Sequence, residues 1–104
     1  MHHATPSQHA AALLLDDPQA RQALRTLRAR SLLAIAGGLQ FSIPRGRSRR
    51  GVTLVHVVSG LQGVQVIASR PTRSDIKEID RAQGVLPGQL GAILARLTGV
   101  ELSH

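Results

Sequence analysis

The N-terminal part of the chain carries a helical pattern of hydrophobic and polar positions. Residues 8–15 form a short apolar segment that predicts a helix. Asp16, Asp17 and Pro18 then mark a second helix start, because an acidic residue caps free backbone N–H groups and proline fits the first turn. This second helix is predicted to run from Pro18 to about Arg30, with an apolar stripe formed by Ala20, Ala23, Leu24 and Leu27.

Another face of the second helix is basic. Arg21, Arg25 and Arg28 recur at positions i, i+4 and i+7, which places them on one side of the helix. Two interpretations are open at this point: a solvated surface, or a stripe that faces the phosphates of a nucleic acid.

Beyond Arg30 the period changes to the alternation that is typical of strands. Residues 31–43 predict a hairpin whose loop is Gly37 and Gly38. The apolar face of this hairpin then pairs Ala36 with Leu39, Ala34 with Phe41, and Leu32 with Ile43. The alternative is that residues 31–36 are the end of the preceding helix, which then continues to Ala36.

A second antiparallel hairpin is predicted from two β-branched runs, residues 52–58 and 64–69, with residues 59–63 as the loop. If Ser59 opposes Val64, one face of this hairpin enters the core: Val55, Val57, Val64, Val66 and Ala68. The other face then carries His56, Gln65, Ile67 and Ser69. His56 is interpreted as a polar-face residue, because the sequence places no carboxylate or nucleophile beside it.

The connection between the two hairpins is the most unusual local feature of the sequence. It reads Arg-Gly-Arg-Ser-Arg-Arg-Gly, and it supplies Arg45, Arg47, Arg49 and Arg50. Four arginines cannot be buried without partners, so this segment is predicted to be a solvent-exposed loop between antiparallel strands.

Composition limits what such a chain can do. The 104 residues predict a single small α+β domain over 1–104, of which 1–6 are expected to be flexible. The chain has no cysteine, which excludes disulfides and thiol chemistry, and Phe41 is its one aromatic residue, so platforms for base stacking are missing. The net charge is +7, and residues 1–50 hold eight arginines against two aspartates. This bias favours a polyanionic partner, although a genome rich in G and C would also raise arginine usage.

Several functional classes find little support in the sequence. The first fifteen residues carry no Lys or Arg and no stretch predicts a membrane span, so a cytoplasmic protein without membrane contact is expected. No acid or thiol joins His2, His3 and His9 at ligand spacing, so neither a metal site nor a cofactor is predicted. Gly60 and Gly63 connect two strands, which indicates turn geometry rather than a phosphate cradle. No catalytic residue is assigned, and an enzyme is not expected.

The last third of the chain predicts two helices that meet across a glycine turn. Ser74 would cap the first helix, Gly84 would close it, and the second would end at Gly99. Residues 75–94, Asp-Ile-Lys-Glu-Ile-Asp-Arg-Ala-Gln-Gly-Val-Leu-Pro-Gly-Gln-Leu-Gly-Ala-Ile-Leu, resemble the helix-turn-helix of bacterial transcription regulators. The resemblance implies DNA binding, with Gln89 as the candidate base reader. Asp80 stands where that motif usually has alanine.

Assembled, these elements predict an α+β fold: an N-terminal helix, an antiparallel β-meander of three or four strands, and two C-terminal helices packed as a helix-turn-helix-like pair. The shorter version has an element order similar to that of double-stranded RNA-binding domains, in which the loop between the first two strands enters a groove.

Three hypotheses about function follow from this assembly. The first is a nucleic-acid-binding accessory or regulatory protein, for DNA or RNA, that clamps phosphates with the arginine-rich loop. The second is a protein-interaction module, an adaptor or inhibitor of a mobile element, that docks on an acidic partner. The third is a small ribonuclease of the toxin type. A homodimer through an exposed sheet edge stays open in each case.

Overall fold

The chain folds into helices that cover one face of an antiparallel sheet. The computed structural model describes residues 6–60 and 63–100. Within those residues the order of elements is α1 (Pro6–Leu15), α2 (Pro18–Leu27), β1 (Arg30–Ile35), β2 (Gly38–Ser42), β3 (Leu54–Gly60), β4 (Gly63–Pro71), β5 (Ile76–Val85) and α3 (Leu90–Thr98). The predicted α+β class with an antiparallel sheet is confirmed, but the prediction of three or four strands is wrong, because this part of the chain forms five.

The sheet is an open meander in which spatial order follows chain order, from β1 to β5. Helix α1 lies against β2 and β3, and α3 lies against β4 and β5, while α2 packs on α3 and α1. The core forms between these two layers, and its largest fully buried side chains are Phe41, Leu14, Leu27, Leu90, Leu94 and Leu97. The loss of apolar surface from water in this layer is the main stabilising contribution to such a fold.

The predicted start of α2 is confirmed, and its cap also joins two helices. Asp17 is buried, and its Oδ1 accepts hydrogen bonds from the backbone N–H of Gln19 at 3.0 Å and of Ala20 at 3.3 Å. Its Oδ2 accepts from the backbone N–H of Gly91 at 3.1 Å, at the start of α3. One carboxylate therefore fixes the N-terminal ends of α2 and α3 next to each other. The helix ends at Leu27 rather than near Arg30, because Arg28 takes a left-handed conformation that turns the chain into β1.

The first hairpin forms, but its predicted register is wrong. Ile35 pairs with Gly38 and Ala34 with Leu39, so the turn is Ala36 and Gly37. Gly38 belongs to the strand because β3 approaches it closely: a Cβ at this position would lie 1.9 Å from the carbonyl oxygen of Val57. The shift, together with an irregularity between Arg30 and Leu33, leaves β1 as an exposed edge strand instead of a core strand. The alternative of a helix over residues 31–36 is also wrong, since the strand starts at Arg30.

The second hairpin is confirmed in its register. Ser59 pairs with Val64, and the predicted core face, consisting of Val55, Val57, Val64, Val66 and Ala68, is buried. Ser69, which is predicted on the opposite face, is buried as well, beside an irregularity in the pairing of β4 with β5. Residues 61 and 62, in the middle of the predicted loop, lie outside the described residues.

The predicted helix after Ser74 is wrong, because residues 76–85 form strand β5 and pair with β4. The apolar residues that predict a helix here are Ile76, Ile79 and Ala82, which are three positions apart. Two irregularities interrupt the pairing of β4 with β5, and each one inserts an extra residue into β5. As a result Ala82 and Val85 both pair with core residues of β4, although strict alternation would place them on opposite faces. The expected helix-turn-helix pair is therefore not formed by these residues.

The second of the two C-terminal helices is present as α3, and it ends at Gly99 as predicted. Among residues 6–60 and 63–100, none of the helices has the length and apolar character needed to cross a membrane. The flexible terminus predicted for residues 1–6 falls mostly on residues 1–5, which lie outside the described residues and include His2 and His3. Residue 6 itself begins helix α1.

Candidate functional site

The two ends of the sheet differ in charge. At one end lie residues 35–38, 58–60, 63–65 and 83–88, and none of these described residues is charged. We call this the uncharged end. At the opposite end lie the start of β1, the connection between β2 and β3, and the turn between β4 and β5. We call this the basic end. Its arginines near the start of β1, in the β2–β3 connection and at the end of β4 are Arg28, Arg30, Arg45, Arg47, Arg49, Arg50 and Arg70, whereas the β4–β5 turn and the start of β5 carry charges of both signs, on Arg73, Asp75, Lys77 and Glu78.

The arginine-rich connection is an exposed link between the antiparallel strands β2 and β3, as the sequence predicts. It is nevertheless held in place by one buried side chain. The hydroxyl of Ser48 donates a hydrogen bond to the carbonyl oxygen of Thr98, at the end of α3, at 2.7 Å. The same hydroxyl accepts from the backbone N–H groups of Val52 at 3.1 Å and Arg50 at 3.3 Å. The loop is thereby tethered to the helical layer.

Arg50 has a structural position within this loop. Its Nη1 forms an ion pair with Oδ2 of Asp80 on β5 at 2.9 Å, and it lies 3.5 Å from the carbonyl oxygens of Arg96 and Leu97. A cation at this place complements the negative end of the α3 dipole. The hydrogen bond from Arg50, followed by one from the backbone N–H of Arg81, holds the pKa of Asp80 below its usual value. Arg50 is therefore engaged by the fold.

The other loop arginines are exposed. For Arg45 and Arg47, no side-chain hydrogen bond or ion pair is found among the described residues. Arg49 lies beside the end of α3, where its Cβ would be 3.0 Å from a Cβ placed on Gly99. Arg45 and Arg47 are therefore the loop residues best placed to receive an anion from solution.

The basic stripe of α2 is confirmed as a surface feature. Arg21 and Arg25 are exposed on the helix while Ala20, Ala23 and Leu27 are buried on its other side. Arg28 is also exposed, but it follows the helix end. From Arg28 back to Arg21 the helix axis runs about 10 Å away from the basic end, at 1.5 Å per residue. Arg28 thus connects this stripe with the basic end, whereas Arg21 is the residue of the stripe that lies farthest from that end.

Gln89 has a different environment from that implied by the helix-turn-helix resemblance. It stands at the N-cap position of α3, and its Oε1 accepts a hydrogen bond from the backbone N–H of Leu86 at 3.1 Å. The side chain closes the turn before the helix, at the uncharged end of the sheet. It is therefore not brought together with any of the predicted arginines.

A groove at the basic end brings Arg45 together with two arginines that the sequence does not single out, Arg30 and Arg70. It has a volume of about 510 Å³ and lies between the β2–β3 connection and the ends of β1 and β4. Arg30, Arg45 and Arg70 line it, together with Ser42, Ile43, Pro44, Gly46, Gly51, Val52, Thr53 and Pro71. Arg30 and Arg70 are 40 residues apart, and isolated arginines in a sequence give no signal of such convergence. The pairing of the strands in the sheet brings these two arginines together.

His56 lies in β3, and its Nε2 is 3.0 Å from Oε1 of Gln40, on the sheet face that the helices leave uncovered. In residues 6–60 and 63–100, no group of three or more His, Cys, Asp or Glu side chains is placed to hold a metal ion. The chemistry available at the basic end is that of guanidinium groups, which donate hydrogen bonds and carry permanent positive charge.

Comparisons of the chain with protein-family models, with curated proteins and with solved structures find no match. The relationship of residues 75–94 to bacterial regulators stays a prediction that these comparisons do not test. The case for a function therefore rests on the fold and on the distribution of charge within it.

Proposed function

We propose that this protein binds the phosphate backbone of a nucleic acid with the basic end of its sheet. The observation that carries the proposal is the separation of charge along the strands. Arginines from the start of β1, the β2–β3 connection and the end of β4 lie at one end, while the described sheet and turn residues of the opposite end carry no charge. The charged side chains next to Pro87 and Gly88 at that opposite end are the carboxylates Asp16 and Asp17. A net charge of +7 concentrated in this way favours a polyanion over a neutral partner.

Four arginines of the basic end are the principal phosphate contacts in this proposal: Arg30, Arg45, Arg47 and Arg70. All four are exposed, and none forms a side-chain ion pair with a described carboxylate. Guanidinium groups bind phosphate oxygens through two parallel hydrogen bonds, which makes arginine well suited to this contact. Arg21, Arg25 and Arg28 extend the positive surface along α2 and increase affinity for a longer ligand.

Sequence reading is a small part of the proposed activity. Phosphate contacts fix position and orientation but carry no base information. Base stacking needs exposed aromatic rings, whereas Phe41 is buried. Gln89 is engaged in the turn before α3. We therefore assign to the protein an accessory role that contributes affinity, on DNA or RNA, rather than recognition of one sequence.

The salt dependence of binding tests this proposal. Each arginine that neutralises a phosphate of duplex DNA contributes about −0.9 to the slope of log affinity against log salt concentration, so four contacts contribute about −3.6. The variant with Arg30→Gln, Arg45→Gln, Arg47→Gln and Arg70→Gln should flatten the slope by three to four units. Fluorescence anisotropy with a labelled duplex, between about 50 and 200 mM salt, measures this change.

A second variant with the same loss of charge serves as the control. Arg73, Lys77, Arg81 and Arg96 are exposed and do not line the groove; Arg81 is paired with Glu78, and Asp75 lies in the same turn as Arg73, so part of their charge is balanced locally. Their replacement by glutamine should leave the slope within about one unit of the parent value. Equal flattening in both variants would show that net charge alone controls binding, and an unchanged slope in the first would contradict the proposal.

Strand β1 favours one alternative, a protein-interaction module for an acidic partner. Leu32 and Leu33 on this edge strand are 51% and 53% exposed, and a sheet edge offers unpaired backbone groups to another chain. This hypothesis expects no measurable duplex binding at physiological salt, and it expects β1 variants, rather than arginine variants, to impair function. A second copy of the chain is another occupant of the same edge, which sedimentation at two protein concentrations would reveal.

A further inference from the structure

The groove at the basic end is more than a part of a positive surface, because three arginines reach it from separate elements. Arg30 begins β1, Arg45 belongs to the β2–β3 connection and Arg70 is near the end of β4. Nη1 of Arg70 lies 3.6 Å from the position of a Cβ on Gly51, so its guanidinium reaches across to the connection. The Ser42 hydroxyl donates to the carbonyl oxygen of Arg30 at 3.1 Å, which ties the start of β1 to the end of β2.

The positive charges of this groove are not balanced by carboxylates among its lining residues. Among the described residues that line it, none is an aspartate or glutamate, and the polar side chains besides the arginines are the hydroxyls of Ser42 and Thr53. Guanidinium groups that share a concave site repel one another, and the walls reduce their contact with water. An anion with more than one negative charge relieves this repulsion better than an anion with one.

We propose that this groove binds a phosphomonoester in its doubly charged form. A phosphomonoester presents close to two negative charges and three acceptor oxygens, enough for three guanidinium groups, whereas a phosphodiester within a strand presents one charge. Ile43, Pro44, Val52 and Pro71 supply apolar wall around the arginines, which suits the carbon atoms of an attached sugar. The volume of about 510 Å³ lies within the range of pockets that hold small molecules.

Two sources offer this group: a free phosphate compound, such as a nucleoside monophosphate, or the phosphorylated end of a nucleic-acid strand. The second source rests on the proposed function and refines it, because the protein would then prefer strand ends. The first source stands without it.

Two duplexes of identical sequence, one with 5′-phosphate ends and one with 5′-hydroxyl ends, test the proposal by their affinity ratio. We expect about tenfold tighter binding of the phosphorylated duplex, which corresponds to about 1.4 kcal/mol. Arg70→Gln or Arg30→Gln should reduce the ratio to about one, while Arg73→Gln, outside the groove, should preserve it. Because arginine is the one titratable type lining the groove, the ratio should also fall between pH 7.5 and 5, as the phosphate becomes singly charged near pH 6.

Inorganic phosphate and adenosine monophosphate form the second arm, measured by calorimetry on the parent and on Arg70→Gln. If the parent protein binds one of these compounds and Arg70→Gln does not, the groove is supported as a site for a free phosphate compound. This holds even if the affinity ratio of the two duplexes is one. The inference is overturned if the affinity ratio of the two duplexes is one and neither phosphate compound binds. It is also overturned if Arg70→Gln and Arg30→Gln both keep the affinity ratio of the parent protein. If hydroxyl-ended duplex still binds with the full salt slope in that case, the inference fails and the proposed function survives. If phosphate binds to the groove but the duplex does not bind, the inference survives and the proposed function fails. Thermal unfolding of each variant confirms that it is folded.

Discussion

The tether between the arginine-rich connection and α3 gives a sharp prediction for Ser48→Ala. The Ser48 hydroxyl is buried and takes part in three hydrogen bonds, one donated to Thr98 and two accepted from Val52 and Arg50. The substitution adds no new group, but it leaves a buried carbonyl oxygen and up to two backbone N–H groups without their partner. An unsatisfied buried polar group costs about 1–3 kcal/mol, and solvent can reach part of this loop, so we expect a loss of about 2 kcal/mol in the free energy of unfolding.

Urea denaturation followed by far-ultraviolet circular dichroism measures this loss, since the chain has neither Trp nor Tyr. The midpoint should fall by about 1 M with an unchanged m-value, and the thermal midpoint by about 10 °C. Ser59→Ala is the matched control, because Ser59 is half-buried and its hydroxyl has no hydrogen bond to a described residue; its effect should be within about 0.5 kcal/mol. A loss below about 0.5 kcal/mol for Ser48→Ala would refute the tether, and the loop would then have to be regarded as free.

Two further predictions concern the helix pair and the ion pair. Gly91→Ala should destabilise the protein by about 1–3 kcal/mol despite the better helix propensity of alanine, because its Cβ would lie 2.5 Å from the backbone nitrogen of Ala20. Gly60→Ala, where the Cβ meets open space, should be close to neutral in the same thermal unfolding measurement. Arg50 donates to the carboxylate of Asp80 and lowers its pKa, so the stabilisation from this pair is present above the usual aspartate pKa and is lost as pH falls through the lowered pKa. A carbon-detected NMR titration should show this pKa rising toward its usual value in Arg50→Gln, and an unchanged titration would contradict the role assigned to Arg50.

Local signals predicted those parts of the fold that depend on neighbours in sequence. The Asp17 cap, the β3–β4 hairpin and the end of α3 at Gly99 follow from capping, alternation and turn chemistry within a few residues. The wrong predictions concern positions at which tertiary contacts, rather than neighbours in sequence, determine the local structure. Gly38 has the sequence signature of a turn residue, but the close approach of β3 requires glycine within the strand.

The same division applies to β5 and to the candidate site. Irregular pairing with β4 gives β5 an apolar spacing of three, which imitates a helix until its partner strand is known. The arginine-rich connection was visible as a run in the sequence, and its exposure was predicted. Arg30 and Arg70 cannot be recognised as site residues from the sequence, because their approach to Arg45 depends on the order of strands in the sheet. Asp80, which departs from the helix-turn-helix pattern, is explained by its ion pair with Arg50.

Amide chemical-shift mapping with a short duplex at low salt tests most directly whether the basic end is the nucleic-acid interface. The account predicts that the largest shifts fall on residues 28–30, 43–53 and 69–71, which surround the groove and the connection. Residues 35–38 and 83–88 at the uncharged end should stay close to their free positions. Shifts concentrated at the uncharged end, or along residues 31–34 of the exposed edge strand, would contradict the account and would place the interaction on a different surface.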